Sequence, residues 1–148
     1  MNIDQLLPTA MDLKKKTALE EAAKVTAEMR KDAAADAEMK ALIDQLTKPT
    51  GVSDEEGIRR GAAIIQRAAK NGLTEVQVIR FPNQLCTDRG RAINQMEPGW
   101  EATLTGKPKE IYQLWYKHFR PRGYRLRVQI IDFPGGMPGD IAMALCWE

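Results

Sequence analysis

From residue 9 to residue 47 the chain contains no glycine or proline, and apolar residues return every three or four positions. Alanine, leucine, methionine, glutamate and lysine dominate, so the spacing predicts helix throughout. Glu20/Lys24 and Asp36/Lys40, each with the acid four residues before the base, suit that helix further. Two apolar stripes share it. Leu19, Ala22, Ala23, Thr26, Met29, Ala33, Ala37 and Ala41 fall on one face, while Met39, Leu42, Ile43 and Leu46 fall on roughly the opposite one. A helix packed on a single surface would not change sides. It either breaks near residues 32–35, folds back as a hairpin, or meets different partners at its two ends. The favoured reading packs the C-terminal turns on the chain's own core and leaves the alanine-faced part to a partner.

Beyond Lys48-Pro49-Thr50-Gly51, a linker-like stop, the periodicity changes. Ser53 with Glu56 three residues on reads as a capping box, and the helix it opens runs through Ile58, Ala62, Ile65 and Ala69 to Asn71-Gly72. Strands are predicted over 75–81, 125–133 and 140–147. A short helix capped by Thr87-Asp88 and a longer one from Lys107-Pro108, with Ile111, Leu114, Trp115 and His118 at helical spacing, lie between the first two strands. Trp100 to Leu104 reads equally as loop or short strand. The third strand is apolar at nearly every position: Ile141, Met143, Leu145 and Trp147 on one face, Ala142, Ala144 and Cys146 on the other. That pattern places it centrally, with a small face close enough for a helix to pack. Strands two and three form a hairpin. The crossover between strands one and two makes them parallel neighbours.

A seven-residue phrase also recurs. Val76-Gln77-Val78-Ile79-Arg80-Phe81-Pro82 returns as Val128-Gln129-Ile130-Ile131-Asp132-Phe133-Pro134, with five identities and one Val/Ile exchange. Each copy follows a helix ending at glycine, which marks two helix–turn–strand units. Parallel neighbours in register would set Arg80 beside Asp132 as an ion pair. The fold class is therefore α/β in the α+β sense: a small mixed sheet of three or four strands with packed helices, preceded by a long N-terminal helical arm. Residues 1–52 form the arm and linker, and 53–148 a compact domain.

Composition narrows the function without naming it. Charged residues are 28% of the 148 and the net charge is +2. Residues 1–52, 53–73 and 74–148 carry −1, +1 and +2 (8 basic against 9 acidic, 4 against 3, 10 against 8), so no segment is strongly polarised. Bulk charge therefore favours neither nucleic acid nor a membrane. No apolar run is long enough to span a bilayer, and the start of the chain does not read as a signal peptide. Two cysteines are too few for a disulfide scaffold or a zinc site. A reduced, cytoplasmic protein without cofactor or metal is the expectation.

Three surfaces carry the candidate residues. Ligands gather beyond the carboxyl ends of parallel strands, which here points to Arg80, Thr87, Asp88, Arg89, Arg91, Asp132 and Asp140. Arginines beside a helix start suit an anion, although Asp88 as a helix cap and two solvated arginines explain the same residues. The segment Lys117, Arg120, Arg122, Tyr124, Arg125 and Arg127 interleaves cations with aromatics, as a nucleic-acid surface does. It also alternates as the exposed side of any half-buried strand would. The helical stripe Leu19, Ala22, Ala23, Thr26, Met29 and Ala33 suits a partner helix, from a second copy or another protein. Catalytic patterns are sparse: His118 is the only histidine, no spacing ties it to Cys86, and Gly135-Gly136 lack the lysine of a phosphate loop. The sequence favours an arm-mediated interaction or assembly module, with oligomerisation, over anion or nucleic-acid binding and over a small enzyme at the strand-end loops.

Overall fold

The computed structural model describes residues 3–148, which divide into two units between Ala41 and Leu42. A four-residue helix α1 spans Ile3–Leu6, and α2 spans Ala10–Thr47. The Thr9 hydroxyl accepts the Asp12 N–H at 3.1 Å, which satisfies one of the free donors at the helix start. The helix is continuous, so neither a break near 32–35 nor a hairpin occurs, and none of its residues is buried. High intrinsic propensity rather than packing holds this helix.

The second unit begins within the last turns of α2. Ile43 and Leu46 are half-buried against the main core, as expected. Met39 and Leu42, expected on the same packed stripe, remain exposed. Gly106 explains how closely the helix end approaches. Its φ is +60°, and a side chain there would run into the Leu46 carbonyl and the Thr47 backbone.

Helix α3 (Asp54–Lys70) starts at Ser53, whose hydroxyl accepts the Glu56 N–H at 3.2 Å. Only half of the capping box forms, because the Glu56 carboxylate turns instead to Arg59 and Arg60 at 3.3 Å each. Strand β1 is Glu75–Phe81, the short α4 Arg91–Asn94, and α5 Gly106–Leu114. Helix α5 widens into a π-helical turn over Trp115–Phe119. Strands β2 (Arg125–Ile130) and β3 (Ile141–Cys146) close the chain. The fold is α+β: a long N-terminal helix, further helices and one three-stranded antiparallel sheet. No helix among the described residues is long and apolar enough to cross a membrane.

The sheet order is β1-β3-β2, with β3 antiparallel to both neighbours. The hairpin of β2 and β3 and the central place of β3 match the sequence expectation. The expected contact between β1 and β2 does not form. They do point the same way, but β3 inserts between them, and pairing on both of its edges leaves this apolar strand no open edge. The sheet is thus wholly antiparallel rather than mixed, and the rule for ligands at parallel strand ends does not apply.

Apolar side chains decide the register. Ile141, Met143 and Leu145 point toward the helices, opposite Phe81, Ile79 and Val76 on β1 and Ile130, Val128 and Leu126 on β2. Strict alternation would send either Val78 or Ile79 outward. A bulge between Gln77 and Ile79 lets both join the core, since an extra residue resets which side follows. The repeated phrase does not mark equivalent places. Val76 faces Leu145 whereas Val128 faces Met143, two residues out of step. Phe81 is consequently 0% exposed, while Phe133 lies past the strand and is 53% exposed.

Helix α3 packs by way of two glycines on one face. A Cβ at Gly57 would lie 2.8 Å from Leu114 Cδ2, and one at Gly61 2.7 Å from Phe119 Cζ. Glycine inside a helix ordinarily costs about 1 kcal/mol relative to alanine; here it allows close approach to α5 and its π turn. The opposite sign is therefore expected for Gly61→Ala. Urea denaturation followed by tryptophan fluorescence should show a loss of about 1–3 kcal/mol from overpacking. A more stable variant would mean that the contact with Phe119 does not form.

Candidate functional site

The strand-end residues come together, but most of them satisfy one another. Arg80 donates from Nε to Asp140 Oδ2 at 2.8 Å and from Nη2 to Asp132 Oδ2 at 3.4 Å. The remaining Asp132 oxygen accepts the Asp140 N–H at 2.6 Å. The hydrogen bond to Asp140 holds the guanidinium in its charged form more firmly than usual. The Arg80–Asp132 pair expected from the sequence is present for a different reason. Asp132 sits at the base of the β2–β3 turn, and Arg80 lies opposite Ala142 on the neighbouring strand. With Gly139 N–H bonded to the Asp132 carbonyl at 3.0 Å, the three side chains close the turn. The carboxylate oxygens thus serve the Arg80 guanidinium and the backbone.

The loop from Asn83 to Arg91 lies at the same end. Asn83 Nδ2 donates to the Pro138 carbonyl at 2.6 Å, and Gly90 abuts Ile130 and Ile141. Asp88 accepts the N–H groups of Gly90 at 3.0 Å and Ala92 at 2.9 Å. The N-cap position of α4 is Gly90 rather than Asp88, whose carboxylate nevertheless satisfies donors at the helix start. Thr87 donates its N–H to the Thr103 carbonyl at 2.8 Å. Arg89, in the left-handed region at φ +57°, and Arg91 are both exposed. Of the seven residues proposed from the sequence, these two alone keep their charge unengaged.

The basic segment is also largely committed. Lys117 lies 3.5 Å from Asp54, and His118 Nε2 meets the same carboxylate oxygen at 3.0 Å. The bond from His118 lowers the Asp54 pKa. Arg120 stacks 4.7 Å over the Tyr116 ring, a cation–π contact that the sequence reading missed because it followed Tyr124 instead. Tyr124 packs edge-on against Phe119 and Trp147, and its carbonyl accepts the Trp115 indole N–H at 2.9 Å. Arg125 donates to the Glu148 carbonyl and Arg127 to the Glu75 carboxylate. Arg122 is exposed and joins no ion pair among the described residues.

The outer face of the sheet holds what the sequence assigned to a helix. The small side chains Ala142, Ala144 and Cys146 are buried there, yet long polar chains from the edge strands cover them. Arg127 of β2 reaches Glu75 of β1 across β3, and Cys146 Sγ donates to the other Glu75 oxygen at 3.6 Å. Two strand spacings, about 10 Å, separate β1 from β2. Only small residues beneath leave room for that crossing. Burial and the neighbouring Glu75 raise the Cys146 pKa, and burial pushes Cys86 up to about 11. Cys86 belongs to the core and His118 to Asp54, so each is already engaged elsewhere. Both cysteines are free thiols.

On α2, Leu19, Ala22, Ala23, Thr26, Met29 and Ala33 are all exposed. Leu19 and Met29 are 72% and 67% exposed, and a shallow depression beside Leu19 is lined by Asp12, Lys15, Lys16, Glu20 and Ala23. No family model, curated protein or solved structure matches the chain.

A structural role for Arg80 and a solvated state for Arg89 and Arg91 make separable predictions. Arg80→Ala should lower the melting temperature by a few degrees, because it leaves two carboxylates facing each other at the turn. The Arg89→Ala and Arg91→Ala variants should melt with the parent chain. Differential scanning fluorimetry compares all three.

Proposed function

We propose that this chain is an assembly module that associates through the apolar stripe of α2 and works as an oligomer in the cytoplasm. The observation that carries this reading is the exposure of Leu19 and Met29 on a long helix with no buried residue. An extended helix that covers none of its apolar stripe gains most of its stabilisation by meeting another helix. The small residues between Leu19 and Met29 set the type of contact, since alanine allows close approach at modest affinity. Two free, buried thiols suit a reducing compartment.

The sheet-end residues support a second reading less well. Arg89, Arg91 and Arg122 are the exposed arginines of the two basic surfaces whose side chains join no ion pair among the described residues, and they suit a phosphate-bearing partner. Against it stands the engagement of Arg80, Arg120, Arg125 and Arg127 by neighbouring groups. Titration of a labelled single-stranded oligonucleotide at low and moderate salt separates the readings. Binding that falls steeply with salt and disappears in the Arg89→Ala/Arg91→Ala/Arg122→Ala variant would favour a nucleic-acid binder.

For the assembly reading, sedimentation velocity of the full chain should show a species larger than the monomer at high micromolar concentration. Leu19→Asp/Met29→Asp should return it to monomer while circular dichroism retains the helical signal. A parent chain that sediments as a monomer throughout would overturn the proposal.

A further inference from the structure

We infer that the end of the sheet where β1 and β2 begin and β3 ends holds the phosphodiester backbone of a nucleic acid, through Arg67, Lys70, Arg120 and Arg122. Two acid-free stretches of the chain meet there. Residues 57–74 carry four cations and residues 111–131 carry five, and neither stretch contains Asp or Glu. Gly61 lies against the Phe119 ring, so the two stretches pack together. The register Glu75–Cys146–Arg125 then sets their outlets side by side. Helix α3 runs out at Leu73, whose N–H bonds to the Ala68 carbonyl at 3.0 Å, and the Trp147 N–H meets the next carbonyl, that of Thr74. The turn carrying Arg120 and Arg122 closes through the Gly123 N–H on the Arg120 carbonyl at 3.0 Å, just before β2.

Neighbouring acids do not cancel this charge. Asp54, Glu55 and Glu56 pair with Lys117, Arg59 and Arg60 at the start of α3. They lie about 16 Å along the helix from Arg67, well beyond a Debye length of about 8 Å. Side chains at this end are Arg67, Lys70, Arg120, Arg122, Arg125 and Arg127 against Glu75 and Glu148, an excess of four cations. The opposite end sets Arg80, Arg89 and Arg91 against Asp88, Asp132 and Asp140, with no excess. Glu75 is held by Arg127. Arg67, Lys70, Arg120 and Arg122 are all exposed and join no ion pair among the described residues. Arg120 rests on the Tyr116 ring, a contact that leaves its charge intact. Charges spread over a helix end and a separate turn fit a ligand with repeated negative charge. The adjoining depression is lined by Glu75 and Glu148, which repel a small anion. Three of the four cations are arginines, whose forked donors take two oxygens of one phosphate. A diffuse membrane potential needs no fork and is met equally by lysine.

The test is fluorescence anisotropy of the full chain with a labelled mixed-sequence single strand and with its duplex. Four phosphate contacts lower single-strand affinity about 50-fold between about 50 and 200 mM salt. Arg67→Ala/Lys70→Ala/Arg120→Ala/Arg122→Ala should remove most of that salt dependence and weaken low-salt binding about tenfold or more. Arg67→Lys/Arg120→Lys/Arg122→Lys should keep both, since it preserves the charge. The surface is independent of the α2 stripe and of Arg89 and Arg91. Leu19→Asp/Met29→Asp and Arg89→Ala/Arg91→Ala should therefore bind as the parent does, whatever the oligomeric state. Tighter binding of one probe identifies the strand form that the surface holds and supports the proposal. Three results would overturn it: no binding of either probe at low salt, binding retained in the quadruple alanine variant, or binding lost with Arg89 and Arg91. Phosphatidylserine vesicles that bind where neither probe does would reassign the surface to a membrane.

Discussion

The central strand divides its side chains by size, and the second unit is built on that division. Six consecutive residues of β3 are buried, with Ile141, Met143 and Leu145 on one side and Ala142, Ala144 and Cys146 on the other. The large set fills the space under α3, α4 and the last turns of α2. The small set leaves a trough that Arg127 and Glu75 bridge. No ladder of backbone hydrogen bonds joins β1 to β2; each pairs along its length with β3. A sheet of three strands has two edges and little area, and burying its middle strand on both faces is how such a small sheet becomes a stable platform.

Helix packing obeys the same constraint from the other side. Gly57 and Gly61 remove Cβ atoms where α3 crosses α5, and the π turn swings Phe119 into the space that results. The adjoining core of Ile65, Phe119 and Leu145 then reaches Trp115, Tyr124 and Trp147. A π turn gives up regular hydrogen bonding over one turn, which is worthwhile only where a side chain gains a buried place. Here Phe119 gains one, and Trp115, Tyr124 and Trp147 pack around it partly buried. Helix α2 differs in kind: its order comes from local propensity along its length and, at its C-terminal end, from Ile43 and Leu46 on the main core.

Much of this was legible in the residues. Periodicity located α2, α3, α5 and all three strands, and the apolar run in 141–146 announced a central strand. What failed was inference that ran from one element to another. The crossover between β1 and β2 predicted direction correctly and adjacency wrongly, because nothing in either strand says that a later one will come between them. The Phe-Pro phrase suggested equivalence, but a bulge at Val78 and the turn beginning at Asp132 give its two copies different registers. The Gly57/Gly61 face was in plain view as an i,i+4 pair of glycines and went unread. Of the candidate site residues, Arg80, Asp132 and Asp140 do meet, as a turn clasp. Whether a charged group is free or engaged depends on neighbours distant in the chain, and Arg127 with Glu75 shows how far, at 52 residues.

The order of elements along the chain gives the two units different histories. Helix α2 needs only residues within reach of a few turns, and it can form as soon as it leaves the ribosome. The sheet cannot. Glu75 waits for Cys146, 71 residues later, and until that strand arrives β1 exposes both of its edges. Contacts of such sequence separation form slowly and late, so the arm is ordered while the unit that follows it is still open chain. Any pairing of arms at that stage would bring together two polypeptides whose sheets are unfinished, each with unpaired strands beside the other's. Timing, as much as shape, then becomes a property that the position of β3 imposes.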